Sequence, residues 1–237
     1  MRGTLTSFYL LISFFVINFS LQAQPAPGVY HANEKETNVH HEIKLNDTYF
    51  VHTMYETSPP KFIQTLGGYY TSDATSIHVE LEFNSNFTND SIKAVDYGYE
   101  LQEGSLVLNG PSTLVFTPSP AKVQDLDGTW LFGTRGPDTG QDRRGDDNPR
   151  KTLKFLHAGH FQWIAYNTET MRFSGTGGGP FTSVDGVYTE NIAYFSRDND
   201  RVGAVLNFTY EVKGNDWHHQ GKNSKGEPMY EIWARRE

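Results

Sequence analysis

The sequence predicts an all-β protein built as two tandem antiparallel β-barrels from an internal duplication. Three observations carry this. One pattern recurs about 111 positions along the chain. Apolar and polar residues alternate with period two almost throughout, with no sustained helical stripe. The composition has 16 Phe, 13 Tyr and no Cys, which suits strands with broad half-buried faces. In the repeat, residues 45–55 lie over 156–166, and 67–72 over 178–183. With one position lost, 77–80 lie over 187–190, and 97–101 then lie over 208–212.

Taken in order, residues 1–23 read as a secretory signal peptide, with Arg2, an apolar run over 8–19 and Ala23 at the cut. The run is too short for a membrane span. The expected mature chain begins at Gln24 and is secreted, periplasmic or extracellular. The first unit, 24–119, carries strands expected at 42–46, 49–56, 76–83, 98–101 and 105–108, separated by Asn, Asp, Gly and Pro turn signals. Pro118 and Pro120 mark a linker. The second unit, 120–237, repeats the strands at 152–156, 160–167, 187–196, 202–213, 216–220 and 229–235. Gly175 to Gly179 reads as a bulge or tight turn between strands. About eight short strands per unit suit an up-and-down barrel.

The second unit opens with Leu126, Asp127, Gly128, Thr129, Trp130 and closes with a strand carrying Trp233 and Arg235. This Gly-x-Trp opening resembles the lipocalin-type (calycin) barrels. That resemblance implies a Trp packed at the closed end with an Arg of the last strand lying across it. In the first unit Gly28, Val29, Tyr30 stands at the matching place, and Thr117 and Pro118 stand where the arginine is expected. Gly159 to Trp163, the glycine-rich stretch and Val187 to Glu190 resemble secreted lipocalin-like proteins of Bacteroidetes that accompany polysaccharide-degrading systems. A broader similarity, to secreted oligosaccharide dehydratases of ulvan breakdown, implies a carbon–oxygen lyase.

Composition excludes several chemistries. Without cysteine there are no disulfides, thiolate metal sites or cysteine nucleophile. A net charge of −8 disfavours nucleic acid as a partner, and the mature chain has no segment for membrane insertion. Neither a Gly-x-Ser-x-Gly elbow nor a phosphate-binding loop occurs. The Asp runs at 138–148 and 198–200 lack the spacing and closing Glu of a calcium loop. His157 and His160 lack a third partner in the sequence, so no metal is expected, and no cofactor.

The nine His and thirteen Tyr are the main chemical inventory. Alternation puts His160, Gln162, Ile164 and Tyr166 on one face, and sends His40 and His41, like His218 and His219, to opposite faces. A His, a Tyr and an Arg at a barrel mouth can eliminate water or alcohol from a uronic acid: the Arg neutralises the carboxylate, the His takes the acidified proton and the Tyr protonates the departing oxygen. The candidates are His160 as base, Tyr188 or Tyr210 as acid, Arg135 or Arg172 for the carboxylate, and Trp163 and Tyr166 as sugar-stacking surfaces. The expected partner is an acidic oligosaccharide. The bland alternative makes these aromatics barrel wall and the protein a non-catalytic binder of a sugar or small apolar ligand. Glu80 with Glu190, and Glu100 with Glu211, read as equivalent pairs with shared structural roles.

Overall fold

The computed structural model describes residues 24–110, 112–222 and 226–236, so the expected leader lies outside the described residues. The period-two pattern folds into two closed antiparallel barrels of eight strands each. The first comprises β1 (Gly28–Asn33), β2 (Val39–Leu45), β3 (Tyr49–Thr57), β4 (Pro60–Ser72), β5 (Ser76–Asn84), β6 (Ala94–Gln102), β7 (Ser105–Asn109) and β8 (Thr113–Pro118). The second comprises β9 (Gly128–Arg135), β10 (Arg150–His157), β11 (His160–Asn167), β12 (Arg172–Val184), β13 (Val187–Asn191), β15 (Val205–Lys213), β16 (Asp216–Lys222) and β17 (Pro228–Arg235). A short β14 (Tyr194–Phe195) continues the β13 side of β12.

Both barrels are compatible with a lipocalin-like fold, and the second has the expected closed end. The Arg235 guanidinium lies 4.1 Å over the Trp130 ring and donates to the Asp127 carbonyl, while Trp130 Nε1 donates to the Leu126 carbonyl. In the first barrel Tyr30 makes the corresponding bond, its OH donating to the Ala26 carbonyl four residues back. There β1 meets β8 only through Tyr30 and His31, opposite Pro118 and Thr117.

Inward faces make two cores. Ile43, Leu45, Phe50, Ile77, Val79 and Phe116 fill the first barrel. Trp130, Phe161, Phe181, Tyr188, Trp217 and Trp233 fill the second. Its interior also holds Lys154, whose ammonium bonds Glu190 at 2.8 Å and stands 4.8 Å from the Trp217 ring centre.

A third core lies between the barrels, made from outward faces that would otherwise meet water: Tyr49, Val51 and Phe83 against Leu153, Phe155, Ile164 and Tyr166. Equivalent residues meet across this seam. Phe62 stacks on Phe173 with ring centres 6.2 Å apart, and Thr65 and Thr176 both accept from Nε2 of the buried Gln162, whose Oε1 accepts from Thr53. A residue that contacts its own counterpart sits near a two-fold axis, so the barrels are related by an approximate two-fold, as in an isologous dimer. The β-bulges agree: opposite Met54 and Tyr55 the extra residue is Ile63 of β4, and opposite Ala165 and Tyr166 it is Ser174 of β12.

Three expectations are corrected. Gly175 to Gly179 form the middle of a strand, β12, rather than a tight turn, with a bulge beside them at Ser174; the backbone there is crossed too closely for side chains. A Cβ on Gly178 would stand 2.3 Å from the Tyr194 hydroxyl, and one on Gly179 2.2 Å from the Asn191 carbonyl oxygen. The expected strand over 187–196 is broken into β13 and β14. The lost position in the repeat is also absent: Val79 pairs with Tyr70 as Glu190 pairs with Phe181, so Glu190 matches Val79. A one-residue slip reverses the face, which is why Glu80 is exposed while Glu190 is buried.

Candidate functional site

At one end of the seam, polar residues on the outward face of the first barrel are covered by the second. His31 on β1 sits opposite Glu42 on β2, and Asn33 opposite His40. Next along the row, Tyr55 on β3 lies opposite His40. The second barrel contributes His160, the first residue of β11, and Tyr194 of β14.

Glu42 is the centre of this cluster and is 1% exposed. Its Oε1 takes hydrogen bonds from the Lys44 ammonium and from the Tyr194 hydroxyl, the latter at 3.1 Å. Its Oε2 faces His160 Nδ1 at 3.2 Å, a contact outside hydrogen-bond geometry. Burial pushes the Glu42 carboxyl up, but Lys44 and His160 outweigh it and hold the group ionised, well below the ordinary carboxylate range. Burial likewise lowers Lys44, against the pull of Glu42.

His31 bonds His40 at 3.0 Å, Nδ1 to Nε2, and His40 Nδ1 bonds Asn33 Oδ1 at 2.8 Å. The His31 and His160 rings are 4.7 Å apart. Burial pulls His31 down to about 4, helped by the neighbouring His160, His40 and Lys44 and opposed by Glu42. Two ring nitrogens, His31 Nε2 and His160 Nδ1, are buried without a hydrogen-bond partner.

The other end of the seam serves as a comparison. There Tyr49 holds the place that His160 holds in the second repeat. Tyr49 and Tyr166 each donate to Glu82 at 2.7 Å, and Arg236 closes on the same carboxylate through two bonds of 2.8 Å. At that end the carboxylate is fully engaged and, among the described residues, only Arg236 Nε is left without a partner, whereas the His end leaves two ring nitrogens unused.

Two further features are open to ligands. Arg135, Arg144 and Arg150, with Phe132 and Trp233, border a depression of about 590 Å³ at the mouth of the second barrel. Arg150 also borders a second one of about 540 Å³ with Tyr166 and Arg172. Arg150 is common to both, so the two neighbouring depressions form an arginine-lined trough in two parts. Arg144 lies 4.2 Å over Phe132, and burial and the charge of Arg150 lower its pKa. Inside the first barrel an apolar cup of about 340 Å³, lined by Met54, Leu108, Leu114 and Phe116, ends on a hydrogen-bonded row from Glu34 through His41 and His52 to Tyr97. Thus His41 points inward and His40 outward. At the other pair, His219 is the buried member.

The expected catalytic set is not brought together. Tyr188 points into the second barrel and donates to Glu190 at 2.8 Å, whereas His160 points out of it. Tyr210 donates to Asp125, and burial, with that hydrogen bond and charge, pushes its hydroxyl up to about 12. Arg172 pairs with Asn167 at the far end of the 8-residue β11, about 23 Å from His160 at the strand rise, and Arg150 is at that same far end. One sugar residue therefore cannot touch both His160 and Arg172. Arg135 borders the trough, as Tyr166 and Arg172 do. Trp163 points into the second barrel against Phe195, with Arg197 above it.

None of His31, His40, Glu42, Lys44, Tyr55 and Tyr194 is among the site residues the sequence pointed to. The available signal was a β2 face bearing His40, Glu42 and Lys44 in alternate positions. It reads as solvated until a second barrel covers it. His160 does have partners, but they come from the other repeat rather than from His157, which merely faces it across the β10–β11 hairpin. No protein-family model matches this chain, and no curated protein matches it.

Proposed function

We propose that the protein acts on acidic oligosaccharides, with the carboxylates of uronic-acid residues seated along the arginine trough of the second barrel. The supporting observation is that Arg135, Arg150 and Arg172 carry no ion pair among the described residues although the chain has net charge −8. Asp142 and Glu231 also border the trough, and the four arginines outnumber them. Guanidinium groups suit planar carboxylates, and Phe132 and Trp233 add aromatic surface. The resemblance to barrels that accompany polysaccharide breakdown and the leader ending near Ala23 support an exported protein. Calorimetric titration with uronic-acid oligosaccharides tests this. Arg150→Ala should lose at least tenfold in affinity, and a neutral oligosaccharide of equal length should bind far more weakly. Equal binding of the neutral sugar sinks the proposal.

Within this reading the reaction is elimination of water or alcohol to leave an unsaturated sugar, with His160 acting on a residue of the oligosaccharide other than those whose carboxylates the arginines hold, since Arg150 and Arg172 stand about 23 Å from it. The supporting observation is that His160, with Nε2 near the Ser119 hydroxyl, stands beside the buried Glu42 carboxylate, an imidazole next to a negative charge being a common arrangement for a general base. Absorbance near about 235 nm on mixing, lost in His160→Ala, is the expected result for the conjugated product.

The cup in the first barrel favours a second reading, carriage of a small apolar ligand with one polar end on His41 or His52. Mass spectrometry of an organic extract of the purified protein should then find such a ligand, absent from a Met54→Trp variant.

A further inference from the structure

The pattern of used and unused atoms around Glu42 is what a metal site requires. Proton placement follows from the row of bonds. Asn33 Oδ1 accepts from His40 Nδ1–H, so His40 Nε2 is an acceptor and takes the His31 Nδ1 proton. His31 Nε2 is then a bare lone pair, buried and unpartnered. On His160, Nε2 reaches the Ser119 hydroxyl at 3.5 Å and Nδ1 is the unpartnered atom. On Glu42, Lys44 and Tyr194 both occupy Oε1, leaving Oε2 for His160. One donor atom from each of His31, Glu42 and His160 lies within 4.8 Å of the other two.

The spacing also admits an ion. Nδ1 of His160 and Oε2 of Glu42 are 3.2 Å apart but misaligned for a hydrogen bond. Ligands about 2.0–2.2 Å from a tetrahedral ion stand roughly 3.3–3.5 Å from one another. We propose that His31 Nε2, Glu42 Oε2 and His160 Nδ1 bind one zinc-type divalent cation between the barrels, with a fourth position open to water or ligand. Two imidazoles and one carboxylate are a donor set suited to zinc. His40 orients His31, while Lys44 and Tyr194 orient Glu42, as outer partners do around ligating groups.

The inference draws on neither the arginine trough nor any sugar. It does carry a consequence for elimination: an ion on Nδ1 leaves His160 with its Nε2 proton, so zinc suppresses any elimination that uses His160 as base.

The test is metal content of the full mature protein, stripped with chelator, dialysed against zinc and then against metal-free buffer. One zinc per chain is expected, with at least a tenfold loss of affinity in His31→Ala and in His160→Ala and none in His157→Ala. Cobalt(II) in place of zinc should give the visible absorption of a tetrahedral site, and calcium should not compete. Thermal unfolding without metal shows whether the variants remain folded. If either does not, the wild-type cobalt spectrum and the calcium competition decide alone. No retained zinc, retention in a folded double variant, or equal competition by calcium overturns the site. Elimination that persists in zinc-loaded protein overturns His160 as base and leaves the metal site standing.

Discussion

Glu42 of the first barrel and His160 of the second lie 3.2 Å apart, and the carboxylate is held in place by a lysine from its own strand and a tyrosine from the other barrel. The cluster is therefore both a candidate centre and part of the joint between the barrels.

Because Lys44 and Glu42 are each 1% exposed, removing one charge strands the other away from water. Glu42→Gln should destabilise the protein by about 3–5 kcal/mol in urea unfolding, the usual cost of breaking a buried pair. The double variant Glu42→Leu with Lys44→Met should recover most of that loss. A double variant as unstable as the single one contradicts this account.

The ring stack of Phe62 on Phe173 predicts coupling between the two repeats. In a double-mutant cycle to alanine the two losses should fail to add by about 1 kcal/mol, the scale of an aromatic pair. Strict additivity would mean that the two rings stabilise the seam independently.

Acid should weaken the fold through histidines buried neutral. Burial and the Lys154 charge, opposed by Glu231 and Glu190, hold His219 at about 4. Burial and His41 hold His52 at about 3. Both titrate near 6.5 when unfolded. Above that value neither state binds the proton. As pH falls from about 6.5 toward 4, the unfolded chain gains protons that the folded one refuses, and stability drops. Urea midpoints measured from pH 7.5 to 5 should fall, and fall less steeply in His219→Phe. Parallel slopes for variant and wild type rule out this residue as a cause.

Gly68 is the most constrained glycine of the first barrel, since a Cβ there would stand 1.8 Å from the Glu80 carbonyl oxygen. Gly68→Ala should cost more than about 3 kcal/mol, beyond the usual range for overpacking, because backbone rather than a side chain must move. Gly104→Ala is the control for added bulk: nothing stands within 4 Å, so any loss there reflects its positive φ of 83°. Gly68→Ala expressed at wild-type stability would show that β4 and β5 separate readily.

What the sequence disclosed was the part governed by local pattern. The period-two runs around Tyr49 and His160 and the duplication are short-range or repeat-borne signals, whereas the Trp130–Arg235 closure came from the resemblance of its Gly-x-Trp opening. Gly178 and Gly179 misled because glycine signals both a turn and a place where backbones touch, and only the neighbours Tyr194 and Asn191 distinguish the two. The seam was hidden for a related reason: a face such as His40, Glu42, Lys44 takes its meaning from what covers it. His160 stood out as a residue type, while its surroundings depended on how two closed barrels dock.

The arginine clasp on Glu82 and the histidine cluster at Glu42 occupy the two ends of one near-symmetric joint. Two identical chains pairing this way would have to make both ends alike, so every gain in reactivity at one end would loosen the other. Carrying both copies on one polypeptide removes that obligation. One end is free to specialise as fastener, through Arg236 on Glu82, while the other keeps unsatisfied lone pairs that a symmetric pair could not tolerate twice. Asymmetry, in this molecule, is what duplication made available.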